Sequence, residues 1–315
     1  MSQTIEKKFF GNSPNYIEKS AYMWAEEKKK YIKLSSYAEY VSVIKKYIVP
    51  FFGEKDIKND ESLKCEISNF TDFLMSGLSP KTVKDILTVT NQIFIYAREN
   101  GYAEKSDVTA KMPKCEFSPI EILSPSDCKK LTEYLQKSTD ASKIGILLCL
   151  FTGIRLGEIC GLRRGDIDLE NGVIKIRRTI QRIYLGGVSQ FHIGSPKTRN
   201  SIRDIPLPAF LCDKLKNTAC TDPLCYYLSG SPSFVQPRTY QNRFKKYLAE
   251  SGVTGNFHFH TLRHTFASRA VELGFDPKTL SEILGHASVN ITLNRYVHTS
   301  LSSKRRSMEL FSSII

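Results

Sequence analysis

The sequence predicts a mainly α protein with a small antiparallel β-sheet, arranged as two domains. Three observations carry that reading. The chain has 315 residues, and at about 100–200 residues per domain this gives room for two separately packed cores. Apolar residues recur at the 3.6-residue interval of an amphipathic helix through most of the chain. Val173 to Ile183 is rich in β-branched residues and reads as a strand, followed by a Gly186-Gly187 turn and a further strand over Ile202 to Leu207.

Taken in order, residues 1–15 show no clear period and read as a tail. A helical domain follows over 16–105. From Ser35, the residues Tyr37, Tyr40, Val41, Ile44, Tyr47 and Ile48 trace one helical face, which Pro50 and Gly53 close. Ser79 is a good N-cap, and Pro80 suits the first helical position because its missing N–H has no partner there anyway. The stripe of that helix is Val83, Ile86, Leu87, Ile93, Phe94 and Ala97, with Gly101 as its stop. The polar stretch 106–118, containing Pro113, reads as a linker, and 119–315 as the second domain. There Ser124-Pro125 opens a helix with Cys128, Leu131, Tyr134 and Leu135 on one face. Ile144 to Phe151 is so densely apolar that it belongs at the centre. The strands follow, and from Thr239 the chain is helical again, with stops at Gly252, Gly274 and Gly285.

Lys and Arg number 45 against 32 Asp and Glu, a formal net charge of +13, which favours a polyanionic partner. A content of 41% hydrophobic and 11% aromatic residues excludes a mainly disordered chain. No stretch approaches the roughly 20 apolar residues a membrane-spanning helix needs, and the opening MSQTIEKKFFGNSPNY has no apolar signal core. The eight cysteines are scattered, which reads as reduced thiols and a cytoplasmic protein. Lys45, Lys46, Lys81 and Lys84 lie on polar helical faces; they are either solubility charges or contacts to a DNA backbone.

Five segments of the second domain could carry chemistry, and each has an ordinary reading beside a functional one. In TGIRLGEICGL (152–162), Gly153 suits a turn that opens a helix, Arg155 could reach an anion and Glu158 could hold its guanidinium; alternatively the two are a plain helical ion pair. In SPKTRNSIRDIPLP (195–208), Lys197 is either a solvated loop lysine or a mobile cation ahead of a strand. In FHFHTLRHTFASRAVELG (257–274), His260 and Arg263 share a helical face, which suits phosphate chemistry. The pair His260 and His264 also has metal-like spacing, but Thr261 stands where a zinc-hydrolase motif needs Glu, and Arg263 would repel a cation. In LGHASVNITLNRYVH (284–298), Gly285 breaks a helix before His286, and Tyr296 beside Arg295 is either a packed aromatic or a nucleophile supported by cations. After His298 the tail couples Lys304-Arg305-Arg306 to the apolar Met308, Leu310, Phe311, Ile314 and Ile315, an end that docks on its own domain or on a neighbouring subunit.

The order Arg155, Lys197, His260, Arg263, His286, Tyr296 resembles the active-site set of the tyrosine recombinase (phage integrase) family. The wording TGIRLGEICGL, HTLRHTFAS and LGHASVNITLNRY resembles that family's boxes over roughly residues 121–300, and residues 20–105 resemble its helical core-binding domain in size and pattern. The resemblance implies the two-domain tyrosine recombinase architecture, a helical core-binding domain followed by an α/β catalytic domain. It implies that Tyr296 attacks a DNA phosphate to form a 3′-phosphotyrosyl bond, with Arg155 and Arg263 on the non-bridging oxygens and Lys197 protonating the leaving 5′-oxygen. His260 would accept the tyrosine proton, His286 would bond the phosphate, and Glu158 would support. No metal is expected, since two arginines and a lysine supply the positive charge and no acidic cluster suits two-metal chemistry. No ATP or other cofactor is expected, since the covalent link conserves the phosphodiester energy and no GxxxxGK[ST] loop is present.

The resemblance further implies double-stranded recombination sites as partners, a homo-tetramer on DNA joined through the C-terminal tail, room for an accessory DNA-bending or excision factor, and no membrane. The strand region 172–194 looks more like integrases of phages or conjugative transposons than chromosome-dimer resolvases of the Xer type, while the short lead before the first helical domain argues against an added arm-binding domain. An Xer-type resolvase and a non-catalytic DNA-binding protein on the same fold stay open beside that reading. A metal-dependent nuclease would need EDTA-sensitive chemistry, and a type IB topoisomerase would relax supercoils without pairing sites.

Overall fold

The computed structural model describes residues 16–53, 60–102, 108–114, 120–195, 199–216, 222–296, 305 and 308–309. The 1–15 tail, Lys197, part of the 106–118 linker and most of the segment after His298 lie outside the described residues. The chain divides into two compact units, residues 1–118 with 182–190, and residues 119–181 with 191–315. The piece 182–190, expected with the second domain, groups with the first because Leu185 packs against its core.

The first unit is helical: α1 (Tyr16–Lys28), α2 (Leu34–Val43), a π turn over Ile44–Ile48, α3 (Val49–Phe52), α4 (Asp60–Met75) and α5 (Pro80–Glu99). Ser79 caps α5 by accepting the Thr82 N–H, and all six residues of its expected stripe are buried. Trp24, the one tryptophan, is 2% exposed and stands 5.0 Å from the Tyr40 ring. Pro50 does not close its helix as the sequence pattern implied. Lacking an N–H, it cannot bond the carbonyl one turn back. The helix widens just before it, Val49 N–H reaching the Ile44 carbonyl, and runs on to Phe52, so only Gly53 acts as the stop. Lys45, Lys46, Lys81 and Lys84 are all exposed.

The second unit starts with α6 (Pro125–Gln136), α7 (Ala141–Thr152) and α8 (Leu156–Gly161). Helix α7 is buried on nearly every side, which explains its unbroken apolar sequence. Strands β1 (Ile167–Asp168), β2 (Val173–Ile176), β3 (Thr179–Leu185), β4 (Val188–Gly194) and β5 (Arg203–Pro206) follow. The order β1-β2-β5 forms a three-stranded antiparallel sheet, while β3 and β4 form a separate hairpin. Gly186 and Gly187, at φ of 61° and 82°, make its two-residue turn. The expected single strand from Val173 to Ile183 therefore breaks at Arg177-Arg178. Those guanidiniums turn aside to Asp204 and Asp166, and the chain leaves the sheet. Helices α9 (Ala209–Lys216), α10 (Pro237–Glu250), α11 (His260–Glu272), α12 (Pro277–Leu284) and α13 (Val289–Tyr296) complete the unit.

Gly153 ends α7 at φ +67°, and a Cβ there would stand 2.6 Å from Leu284 Cδ2 and 2.8 Å from Phe266 Cδ1. Gly153→Ala therefore combines a strained backbone with a clash, and is expected to destabilise by more than about 1 kcal/mol. A thermal melt checks this; an unchanged midpoint would show that the turn relaxes freely.

Candidate active site

Arg155 is the N-cap residue of α8, placed there by the Gly153 turn. Its backbone N–H and its Nη1 donate to the two oxygens of Glu158 at 3.0 and 2.8 Å, and its Nη2 donates to the Gly285 carbonyl at 3.0 Å. Glu158 is 2% exposed and has a second guanidinium partner. Arg203, on β5, donates from Nη1 and Nη2 to Oε1 and Oε2 at 3.0 and 2.9 Å. Arg203 also donates from Nε to the Ile283 carbonyl at 2.6 Å. Burial alone would raise the Glu158 pKa; Arg203 and then Arg155 outweigh it and hold the carboxyl below its ordinary value.

Arg263, on α11, is also 2% exposed. It donates from Nη1 to the Gly153 carbonyl at 2.8 Å and from Nη2 to the Leu284 carbonyl at 2.7 Å. Burial, then the charge of Arg155, pushes its pKa down to about 9. A buried cation bonded through carbonyls, with a second guanidinium nearby, is a site that an anion would stabilise.

Three imidazoles and the tyrosine complete the cluster. His260 opens α11 and keeps an exposed side, and its ring meets His264 edge-on with centroids 4.5 Å apart. His286 Nδ1 and Thr292 Oγ1 are 2.8 Å apart, and the His286 ring lies parallel to that of Tyr296, at 6.3 Å. His264 Nδ1 stands 2.7 Å from the Tyr296 hydroxyl. Burial, reinforced by the arginines, pushes His260 and His286 down to about 3 and His264 to about 4, so all three are neutral near pH 7. Tyr296 is 6% exposed, against Ala267, Ala270, Leu280 and Leu284. Its burial raises its pKa in spite of Arg263, Arg295 and Arg155, so the resting hydroxyl keeps its proton.

The structure thus brings together Arg155, Glu158, His260, Arg263, His286 and Tyr296. Lys197 falls outside the described residues, but the adjoining Asn200 and Ser201 make long contacts of 3.4 Å to carbonyls of residues 285–287. The four lysines named as DNA contacts belong to the first unit. Among the described residues no three His, Cys, Asp or Glu side chains gather as a metal would need, and no helix is long and apolar enough to cross a membrane. Two residues of this cluster were not among the site residues the sequence suggested. Arg203 had a signal, since it occupies an inward position of β5 beside buried Ile205, where a cation needs a buried acid. His264 had only its spacing from His260, which says nothing about the tyrosine.

A tyrosine hydroxyl beside two arginines and neutral imidazoles is an arrangement suited to phosphoryl transfer. The chain belongs to the phage integrase family: the family's model matches residues 121–302, and the model of the family's N-terminal SAM-like domain matches residues 17–66. It is 30% identical over 295 residues to a tyrosine recombinase XerC-like protein of Caldanaerobacter subterraneus subsp. tengcongensis, covering 82% of this chain and 75% of the relative. It is 26% identical over 273 residues to the ICEBs1 integrase of Bacillus subtilis, covering 81% and 72%. Among solved structures, a fragment of the Tn1549 transposon integrase in complex with transposon right-end DNA aligns over 93% of this chain and 99% of that one, with a TM-score of 0.74 at 21% identity. The chain is accordingly an enzyme of site-specific DNA recombination.

Proposed function

We propose that this recombinase integrates and excises a mobile element, with Tyr296 as the nucleophile on the scissile phosphate. The carrying observation is the position of the Tyr296 hydroxyl beside neutral His264, in a cluster with the cationic forks of Arg155 and Arg263. The transition state places extra negative charge on the non-bridging oxygens, where two guanidiniums and His286 stabilise it more than they stabilise the substrate. Glu158 fixes Arg155 from behind. Lys197 protonates the leaving 5′-oxygen, and the 3′-phosphotyrosyl bond keeps the energy needed for rejoining. His260, next to His264, belongs to the proton-handling side of the site.

Each chain offers one such tyrosine, and exchanging two duplexes requires four strands to be cut, which favours a homo-tetramer on two sites. The apolar tail after His298 is the candidate link between subunits, and an excision or DNA-bending factor would act on the assembled DNA. The integrase of Bacillus subtilis among the relatives favours the mobile-element reading, and the XerC-like relative favours chromosome-dimer resolution as the second. A bacterial or phage-encoded enzyme of this kind works in the cytoplasm, where its DNA is.

Incubation in EDTA with labelled DNA from the ends of its element tests both chemistry and substrate. A denaturant-resistant protein–DNA band that Tyr296→Phe abolishes is expected, with the variant's DNA binding retained. A band only with paired chromosomal sites would favour the resolvase reading, and tight binding without any band would overturn the assignment of Tyr296.

A further inference from the structure

We infer that His264 Nδ1 takes the proton from Tyr296 as the tyrosine attacks, which makes His264 a catalytic residue of this chain. The inference rests on the reading of Tyr296 as nucleophile. Three imidazoles belong to the cluster around Tyr296, and their geometry separates them. His264 Nδ1 stands 2.7 Å from Tyr296 Oη, within the reach a general base needs. His286 directs its own Nδ1 to Thr292 and turns the face of its ring to the tyrosine. His260 lies one turn earlier on α11 and meets the His264 ring edge-on. His264 and Tyr296 come from different helices, α11 and α13, so the contact arises from how those helices pack.

In this assignment the protonated tyrosine donates to Nδ1, so the ring proton of His264 sits on Nε2. The charged and titratable groups around His264 are His260 and Arg263 on its own helix and Arg295 and Tyr296 on α13. Burial, then the charges of Arg295 and Arg263, keeps it neutral, and an arriving phosphate offsets those charges and raises its basicity. In the forward step the Tyr296 Oη–P bond forms while the proton moves from Oη to Nδ1. The bond from phosphorus to the 5′-oxygen breaks, and that oxygen takes a proton from Lys197. On rejoining, the 5′-hydroxyl returns its proton to Lys197 as it attacks phosphorus, and Oη leaves and recovers its proton from Nδ1.

The test is single-turnover adduct formation by His264→Phe across pH, on the ordinary phosphodiester and on a substrate with sulfur in place of the leaving 5′-oxygen. The ring of Phe fills the space without an acceptor. The expected loss is about 10²–10⁴-fold on the ordinary substrate, with the residual rate climbing as pH rises toward the tyrosine's own pKa. The sulfur substrate needs no proton on its leaving group, a thiol being far more acidic than an alcohol. It therefore restores Lys197→Ala but leaves His264→Phe slow. A rate within about threefold of the parent, with the parent's pH profile, overturns the inference. Should His264→Phe not fold, the ¹⁵N shifts of His264 in the parent protein decide: a proton on Nε2 supports the assignment and a proton on Nδ1 overturns it. Adducts formed by Tyr296→Phe would instead remove the nucleophile reading beneath it, a separate and distinguishable failure.

Discussion

Arg203→Ala is expected to lower the stability of the second unit by about 3 kcal/mol, the lower end of the cost of breaking a buried ion pair. Its guanidinium holds both oxygens of Glu158, a carboxylate only 2% exposed. Removing it leaves that charge in the interior with Arg155 alone, and Arg155 is why the loss stays at the lower end. The Ile283 carbonyl loses its donor as well. Urea denaturation measures the effect, and a change below about 0.5 kcal/mol, the usual range of a surface substitution, would refute it. Because Arg203 and Arg155 hold Glu158 below its ordinary pKa of 4.5, their stabilisation is complete above that pH and is lost as pH falls below it. The gap between parent and Arg203→Ala must therefore close in acid. A second consequence separates position from stability. Glu158→Gln with Arg203→Met removes both charges and recovers most of the folding loss, yet leaves Arg155 without its carboxylate, so adduct formation stays impaired.

Much of the architecture is legible because its signals are local. Ser79 and Ser124 cap their helices through bonds three residues away, and the buried stripe of α5 lies within one helix. Local signals misled where packing overrode them. Pro50 reads as a terminator, but the aromatic residues around it, Phe51 and Phe52 against Phe70, hold the helix in place through a π turn. At the site, each motif alone had an ordinary reading, and it was the order Arg155, Lys197, His260, Arg263, His286, Tyr296 along the chain that pointed to the set, with Glu158 in support. The pairing of Glu158 with Arg203, 45 residues on, and of His264 with Tyr296, 32 residues on, depends on which faces of α8 and β5, and of α11 and α13, meet. No spacing within either segment encodes that choice.

The same distinction between charge and geometry governs Arg263→Lys, which is expected to slow adduct formation by about 10²–10³-fold, the cost of losing a donor aimed at transition-state charge. The substitution keeps a formal charge, so what it removes is shape. Two of the five guanidinium donors reach the Gly153 and Leu284 carbonyls, fixing the plane and leaving the other edge for phosphate oxygens. A single ammonium cannot bridge two carbonyls on separate segments and also address a phosphate, so at least one carbonyl loses its donor. DNA affinity should change far less, because it is spread over many backbone contacts. Charge then supplies a second readout. Burial and Arg155 already bring Arg263 down to about 9. A lysine starts from a lower intrinsic pKa and shifts readily when buried, so the same surroundings push its proton off more easily than the arginine's. Acidification recharges it while the arginine of the parent stays charged throughout. The deficit of Arg263→Lys relative to the parent should therefore narrow as pH falls from 8 to 6, and a constant ratio over that range would mean that the substituted lysine never loses its charge.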